Sequence, residues 1–264
     1  MEEQLKTILT QAFGESSDSE GEEQQQFVHS HCAENRENGK ALTGSVFGES
    51  HDWEKISEID GLWLCKDFLS PDQQSNLLSS IQKEGWFAQS SSNQAMRFGD
   101  LPGWAVELSS SIHEAILFSN CVAELENCGK GEETCIFPQD LLWREPLFDQ
   151  LIVNMYQPGE IALLQGICPH VDLMRFEDGI AIVSLESSCV MRFTRVENET
   201  CNQDSPQTVP VLLTPGCLIL MRGEARYLWK HEINRKHGFQ KWEGQEIDQK
   251  RRISVTLRKL CRTD

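Results

Sequence analysis

The hydrophobic and polar positions along this chain fall into three regimes. Residues 1–57 are polar and carry little periodicity; Leu5, Ile8, Leu9 and Phe13 alone recur at a spacing that fits a short amphipathic helix. From residue 58 onward the apolar positions organise. Gly61 to Phe68 reads as a strand. Ser70-Pro71 then supplies an N-cap residue and a proline suited to the first helical position, and Leu77, Leu78 and Ile81 follow at helical spacing up to Gly85. Ala105, Leu108, Ile112, Ala115 and Ile116 form the stripe of a second helix over 104–117.

After about residue 147 the pattern shortens. Leu151 to Tyr156, Ile180 to Leu185, Val190 to Thr194, Val209 to Leu213, Cys217 to Met221 and Ile253 to Leu260 are apolar or β-branched segments. Turn signals such as Pro158-Gly159, Asp178-Gly179 and Pro215-Gly216 lie between them. Two helices followed by six or more short strands predict an α+β domain whose sheets form a sandwich or a barrel-like jelly roll. The expected organisation is an acidic, mostly disordered arm over 1–57 and one domain over 58–264.

Composition changes the picture at its edges. The 264 residues carry a formal charge of −17. Residues 1–60 hold 14 acidic and 4 basic side chains, whereas 221–264 hold 12 basic and 6 acidic ones. Bulk charge therefore excludes a sequence-blind duplex binder, but leaves a local basic lip near the C-terminus. No apolar run reaches the roughly 18 residues of a membrane span, and the start lacks a signal-peptide pattern. The ten cysteines are scattered. Together these features predict a cytoplasmic or nuclear protein with reduced thiols, acting as a monomer away from membranes.

The candidate chemistry sits in the strand-rich part. His170-Val-Asp172 places an imidazole and a carboxylate on one side of an extended segment. His231 follows the strand-like Ala225 to Trp229. Two imidazoles and one carboxylate on one face of an ion leave three coordination positions open, the arrangement of non-haem Fe(II) oxygenases; zinc would accept the same ligands without redox chemistry. A surface His-x-Asp pair is the plain alternative. Arg252, Ser254, Thr256 and Arg258 share one face of a predicted strand. Two inward guanidinium groups need an anionic partner, unless the strand is a solvated edge. Asn154 and Tyr156 also share a face and offer an amide and a phenol.

In this order, Asn154-Met-Tyr156, His170-Val-Asp172, His231 and Arg252-Ile-Ser-Val-Thr-Leu-Arg258 resemble the motifs of the AlkB family of Fe(II)/2-oxoglutarate dioxygenases. The flanking phrases Cys168 to Asp172 and Gly223 to His231 carry the same resemblance, and Gln94 to Gly99 is similar to the family's nucleotide-recognition lid. The resemblance implies a double-stranded β-helix (jelly roll) with a helical N-terminal subdomain. It implies Fe(II) held by His170, Asp172 and His231, and 2-oxoglutarate gripped by Arg252, with Arg258, Asn154 and Tyr156 completing the pocket. The implied reaction turns 2-oxoglutarate and O₂ into succinate and CO₂ while an N-methyl carbon of a base is hydroxylated and lost as formaldehyde. RNA or single-stranded DNA is the implied partner, RNA ahead of duplex DNA. A protein-modifying oxygenase and a catalytically silent binding module are the alternatives. Two features depart from the family: the additional stretch Ile161-Ala-Leu-Leu-Gln165 before the first ligand, and Met174, where the bacterial repair enzyme is acidic.

Other features have plain readings beside functional ones. Cys121, Cys128 and Cys135 are seven apart, which is not a metal-clamp spacing, and structural thiols are expected. His237 rivals His231 but lies in a polar turn. Trp86 and Phe98, with Arg97, suit either stacking on a base or core packing. Arg251, Lys259, Arg262, Lys236 and Lys241 suit either a phosphate track or a solvated face.

Overall fold

A computed structural model describes residues 52–88, 93–126, 135–157, 166–196, 207–236 and 238–261. Apart from Asp52 to Ser57, the predicted arm lies outside these residues. Within that exception, Trp53–Lys55 forms a strand (β1), paired antiparallel with β2 (Leu62–Cys65). Ordered structure therefore begins before residue 58, because Trp53 packs half-buried against the helical side of the core.

Helix α1 (Pro71–Lys83) starts as the sequence predicts. The Ser70 side chain accepts from the Gln73 amide, and the Gln73 side chain accepts from the Ser70 amide, a reciprocal capping box. Helix α2 (Gly103–Glu126) buries Ala105, Leu108, Ile112, Ala115 and Ile116. It runs past its apolar stripe because no glycine or proline interrupts the chain before Gly129.

The strands form two larger sheets. One contains β1, β2, β3 (Gln94–Phe98), β4 (Gln150–Tyr156), β6 (Ile180–Leu185), β9 (Leu218–Met221) and β13 (Arg252–Arg258), in the order β1-β2-β9-β6-β13-β4-β3. The other has the order β5-β10-β7-β8, with β5 (Ile167–His170), β7 (Cys189–Arg195), β8 (Thr208–Leu213) and β10 (Trp229–Ile233). A short hairpin, β11 (Lys241–Trp242) with β12 (Gln245–Glu246), and two one-turn helices, α3 (Gln139–Leu142) and α4 (Glu224–Tyr227), complete the chain. No described helix is long and apolar enough to cross a membrane.

Strand alternation divides the interior in two. One face of the seven-stranded sheet, through Leu151, Val153, Val183, Leu185, Val255 and Leu257, packs with α1 and α2. The helices thus form a layer on the sheet. The other face looks toward the four-stranded sheet, and its character changes across its width. At β2, β9 and β6 it carries Leu62, Leu64, Ile219, Met221, Ile180 and Ile182, which pack with Met191, Phe193, Val209 and Val211. At β13 and β4 the same face presents Arg252, Ser254, Thr256 and Arg258 beside Tyr156 and Asn154. β13 is a central strand, paired on both sides, so the solvated-edge alternative for its arginines fails.

One local expectation is corrected. Ala225 to Trp229 is not a strand: residues 224–227 make the turn α4, begun at Gly223 with φ of +51°, and β10 begins at Trp229 and contains His231 itself. Strand β5 runs through Cys168-Pro169, a sequence that argues against a strand; it is tolerated because β5 is the sheet edge, where a missing N–H breaks no ladder.

The approach of β5 to β10 is close. A Cβ at Gly166 would collide with the Ile233 carbonyl oxygen. Gly166→Ala should therefore destabilise the protein by about 1–3 kcal/mol, read as a lowered midpoint of denaturant unfolding; an unchanged midpoint would show that the strand ends can part without cost.

Candidate metal centre

Antiparallel pairing of β5 with β10 sets His170 directly opposite His231. Their ring centroids are 4.3 Å apart. On its other side His231 faces Phe193 of β7, with centroids 6.1 Å apart. Asp172 lies two residues beyond β5, and its Oδ2 is 3.7 Å from His231 Nε2. One ligand atom from each of His170, Asp172 and His231 lies within 4.8 Å of the others. His170 Nδ1 sits 2.8 Å from the Cys168 carbonyl. A proton on Nδ1 donates to that oxygen and leaves the lone pair on Nε2, the tautomer a ligand needs.

The protonation states suit a cation. Burial drives His231 down to about 3, with His170 adding to the shift against the pull of Asp172. Burial alone would raise the Asp172 carboxyl, but Arg258, helped by the two imidazoles and Arg226, holds it below the usual carboxylate range. The pair at the centre is therefore a neutral imidazole and a carboxylate across the working pH range.

Asp172 is held from two directions. Its Oδ1 accepts from Arg258 Nη1 at 2.9 Å. Its backbone carbonyl accepts from Arg226 Nη1 at 2.9 Å, and Arg226 Nη2 reaches the carbonyls of Leu173 at 2.7 Å and Phe176 at 3.2 Å. Arg226 is fully buried. The sequence reading missed it; its signal was a charge set within Ala225 to Trp229, an otherwise apolar and aromatic run.

Arg252 and Arg258 share a face but not a location, since six residues of strand separate their Cα atoms by roughly 20 Å. Arg252 is buried, and its Nε donates to Ser184 Oγ at 3.1 Å. Its guanidinium lies 5.6 Å from the Tyr156 ring centroid. Among the described residues, nothing accepts a hydrogen bond from Nη1 or Nη2 of Arg252, both of which are buried. Two unsatisfied donors on a buried cation are costly, and a carboxylate satisfies both in parallel. The residues present thus fit a ligand carboxylate at Arg252, on the face of β13 that also carries Arg258. Asn154 Oδ1 accepts from Gln94 Nε2 at 2.7 Å, which fixes the orientation of its amide.

Three members of the basic cluster are engaged in ion pairs. Arg258 engages Asp172, Lys259 pairs with Asp149 at 2.7 Å and is buried, and Arg251 pairs with Glu186. Trp86 is half-buried between Trp104 and the Arg97 guanidinium, whereas Phe98 is 48% exposed. Cys135 donates to the Phe137 carbonyl. Cys121 and Cys128 (their side chains), Arg262, His237 and the additional stretch Ile161 to Gln165 lie outside the described residues.

The metal-free protein should lose stability as pH falls. His231 has a folded pKa near 3 against an ordinary 6.5, so between these values the unfolded chain binds a proton that the folded one refuses. Asp172, also lowered, acts in the same direction below about 4. Unfolding midpoints measured from pH 7 to 4 should drop steadily, and a flat profile would contradict this protonation state.

Comparison with known proteins agrees with this geometry. The sequence model of the 2OG-Fe(II) oxygenase superfamily matches residues 61–258. A Xenopus tropicalis protein, tRNA (carboxymethyluridine(34)-5-O)-methyltransferase alkbh8, is 32% identical over 175 residues, which is 66% of this chain and 25% of that protein. The Arabidopsis thaliana "Alkylated DNA repair protein ALKBH8 homolog" is 27% identical, over 76% of this chain and 59% of its own length. The chain therefore spans about a quarter of the first relative and less than two thirds of the second. The solved structure of OsALKBH1 superposes with a TM-score of 0.53 at 15% identity, covering 79% of this chain and 100% of that one, a likeness of fold. The family match, the jelly-roll topology and the His-Asp-His cluster converge: this chain belongs to the 2OG-Fe(II) oxygenase superfamily as an AlkB-like member, a dioxygenase of a family that uses Fe(II), 2-oxoglutarate and O₂.

Proposed function

We propose that this dioxygenase oxidises a modified base in RNA or another single strand, removing an N-methyl group or hydroxylating the base. His170, Asp172 and His231 are the iron ligands in this reading, and Arg252 binds the distal carboxylate of 2-oxoglutarate. The observation that carries it is the buried Arg252 fork, with two donors unsatisfied, on the same polar patch of sheet that leads to the ligand cluster. Bound Fe(II), with 2-oxoglutarate and O₂, supplies the oxidation of an otherwise inert C–H bond.

The chain's own residues do the rest. Arg252 and the Tyr156 ring beneath it fix one end of the cosubstrate. Arg258 keeps Asp172 ionised and aimed at the centre, and Arg226 fixes the backbone on which Asp172 stands. A single-strand substrate fits both the overall charge of −17 and the need of such enzymes for an unstacked base. The names of the two ALKBH8-type relatives, one on tRNA and one on alkylated DNA, support a nucleic-acid substrate.

The test is a nucleoside inventory. Cellular RNA and single-stranded DNA, incubated with the protein, Fe(II) and 2-oxoglutarate in air, should show loss of one modified nucleoside, or its gain of one oxygen, matched by succinate. His170→Ala should abolish both changes. An unaltered inventory alongside oxygen gain in cellular protein would contradict the reading.

A further inference from the structure

A stack of alternating guanidinium groups and aromatic rings leads from the candidate metal ligand to the surface. Arg258, on Asp172, lies 4.7 Å from the Phe176 ring centroid. Arg175 lies on that ring too, at 5.1 Å, and 5.9 Å from the ring of Phe98. Phe98 pairs with Gln150 across β3 and β4, and Gln150 pairs with Arg258 across β4 and β13. Phe98 and Arg258 are therefore on one row and one face of the sheet, two strands apart, about 10 Å. Phe176 is buried and tied to Leu260 by an isolated β-bridge, and the Arg175 carbonyl accepts from the Cys261 amide. The middle of the stack is thus fixed, while its outer end is open: Phe98 is 48% exposed, Met174 72% and Leu173 38%.

The charge of this mouth is one-sided. Arg258 and Arg175 both lie on the Phe176 ring, and Arg226 donates to the Leu173 and Phe176 carbonyls of the same segment. Asp172 is the one carboxylate among them, and it is engaged by Arg258. Neighbouring carboxylates turn elsewhere. Glu177 pairs with Arg144, Asp149 with Lys259, and Asp178 accepts from the Gly179 and Gly223 amides. Asp100 lines a separate cleft between α2 and residues 142–148. A flat group that enters here meets an aromatic face, two apolar side chains and a cation, and among the described residues no carboxylate is left to pair with a positive charge.

Resting on the nucleic-acid reading above, we propose that Phe98 and Arg175 form the substrate platform of this site, and that the platform selects a base that is neutral or anionic over one made cationic by alkylation. Phe98 supplies the stacking surface, a contact that does not depend on charge. Arg175 supplies the sign, attracting an anionic substituent and repelling a cationic ring.

The experiment compares binding of short single-stranded RNAs, identical except for one residue: 6-methyladenosine (neutral), 5-carboxymethyluridine (anionic) or 1-methyladenosine (cationic). The protein is loaded with Mn(II) and N-oxalylglycine, so that nothing turns over. The cationic RNA should bind more weakly than the other two by roughly tenfold, the order expected of one like charge at a partly solvated site. Arg175→Glu should reverse the order, and Arg175→Gln should level it; thermal unfolding of each variant checks that it folds. Phe98→Ala should weaken the three RNAs alike. Tightest binding of the cationic RNA by the wild-type protein, or an order unmoved by Arg175→Glu, overturns the proposal and leaves the nucleic-acid reading standing. Absence of binding to every RNA overturns that reading, and the proposal with it.

Discussion

The register between β5 and β10 is the constraint on which this site depends. With His170 opposite His231, two imidazoles meet within one cross-strand pair, and the chain needs only two more residues to bring Asp172 to the same point. A slip of one residue would turn His231 to the other face of its strand and dissolve the cluster, because side chains alternate strictly along a strand. Several features keep the register. Trp229 and Ile233, either side of His231, are buried in the core between the sheets, so β10 cannot shift without exposing them. Gly166 allows the close approach at the strand ends. Arg226, drawn inward by the turn before β10, grips three carbonyls of the segment that carries Asp172. The two halves of the cluster, sixty residues apart in sequence, are in this way tied by backbone as well as by side chains.

A second physical theme is the division of one sheet face into apolar and polar halves. The apolar half is an ordinary core. The polar half, at β13 and β4, would be a defect in a structural protein: a buried guanidinium with two unmatched donors is a penalty that packing does not repay. It makes sense as a binding site whose ligand completes it. Arg258 shows the contrast, since the same residue type on the same face is completed internally by Asp172. The pair of arginines that looks equivalent in sequence is thus divided: Arg258 is engaged by Asp172, and Arg252 keeps two donors for a ligand.

Much of this was legible in the chain. The apolar segments gave most of the strands and both long helices, and the capping box at Ser70 is an explicit start signal. That His170, Asp172 and His231 meet, and that Arg252 faces inward, followed from residue chemistry together with order along the chain. What stayed hidden has physical reasons. β5 contains Pro169, which reads as a strand breaker unless one knows that the strand is an edge. Ala225 to Trp229 reads as a strand because it is largely apolar and aromatic, although Gly223 marks the turn that starts α4; β10 follows with alternating buried and more exposed positions from Trp229 to Ile233. The partners of Arg226, Arg251 and Lys259 are set by tertiary contacts over tens of residues, which spacing alone does not reveal.

The acidity of the whole chain and the cationic character of the site are compatible once their locations are separated. Fourteen acidic residues lie in the first sixty, while the site's guanidinium groups are buried or lean on aromatic rings. The central claim is that the Arg252 fork is built for one end of 2-oxoglutarate while the other end meets iron at the triad. An anaerobic titration of the Fe(II)-loaded protein with 2-oxoglutarate, followed by the visible charge-transfer absorption of a 2-oxoacid on Fe(II), tests this most directly. The absorption should saturate in the wild-type protein, and Arg252→Ala should need roughly ten- to a hundredfold more 2-oxoglutarate, as expected for loss of a charge-assisted contact of about 1.5–3 kcal/mol. No absorption, or an identical half-saturation in the variant, would contradict the account.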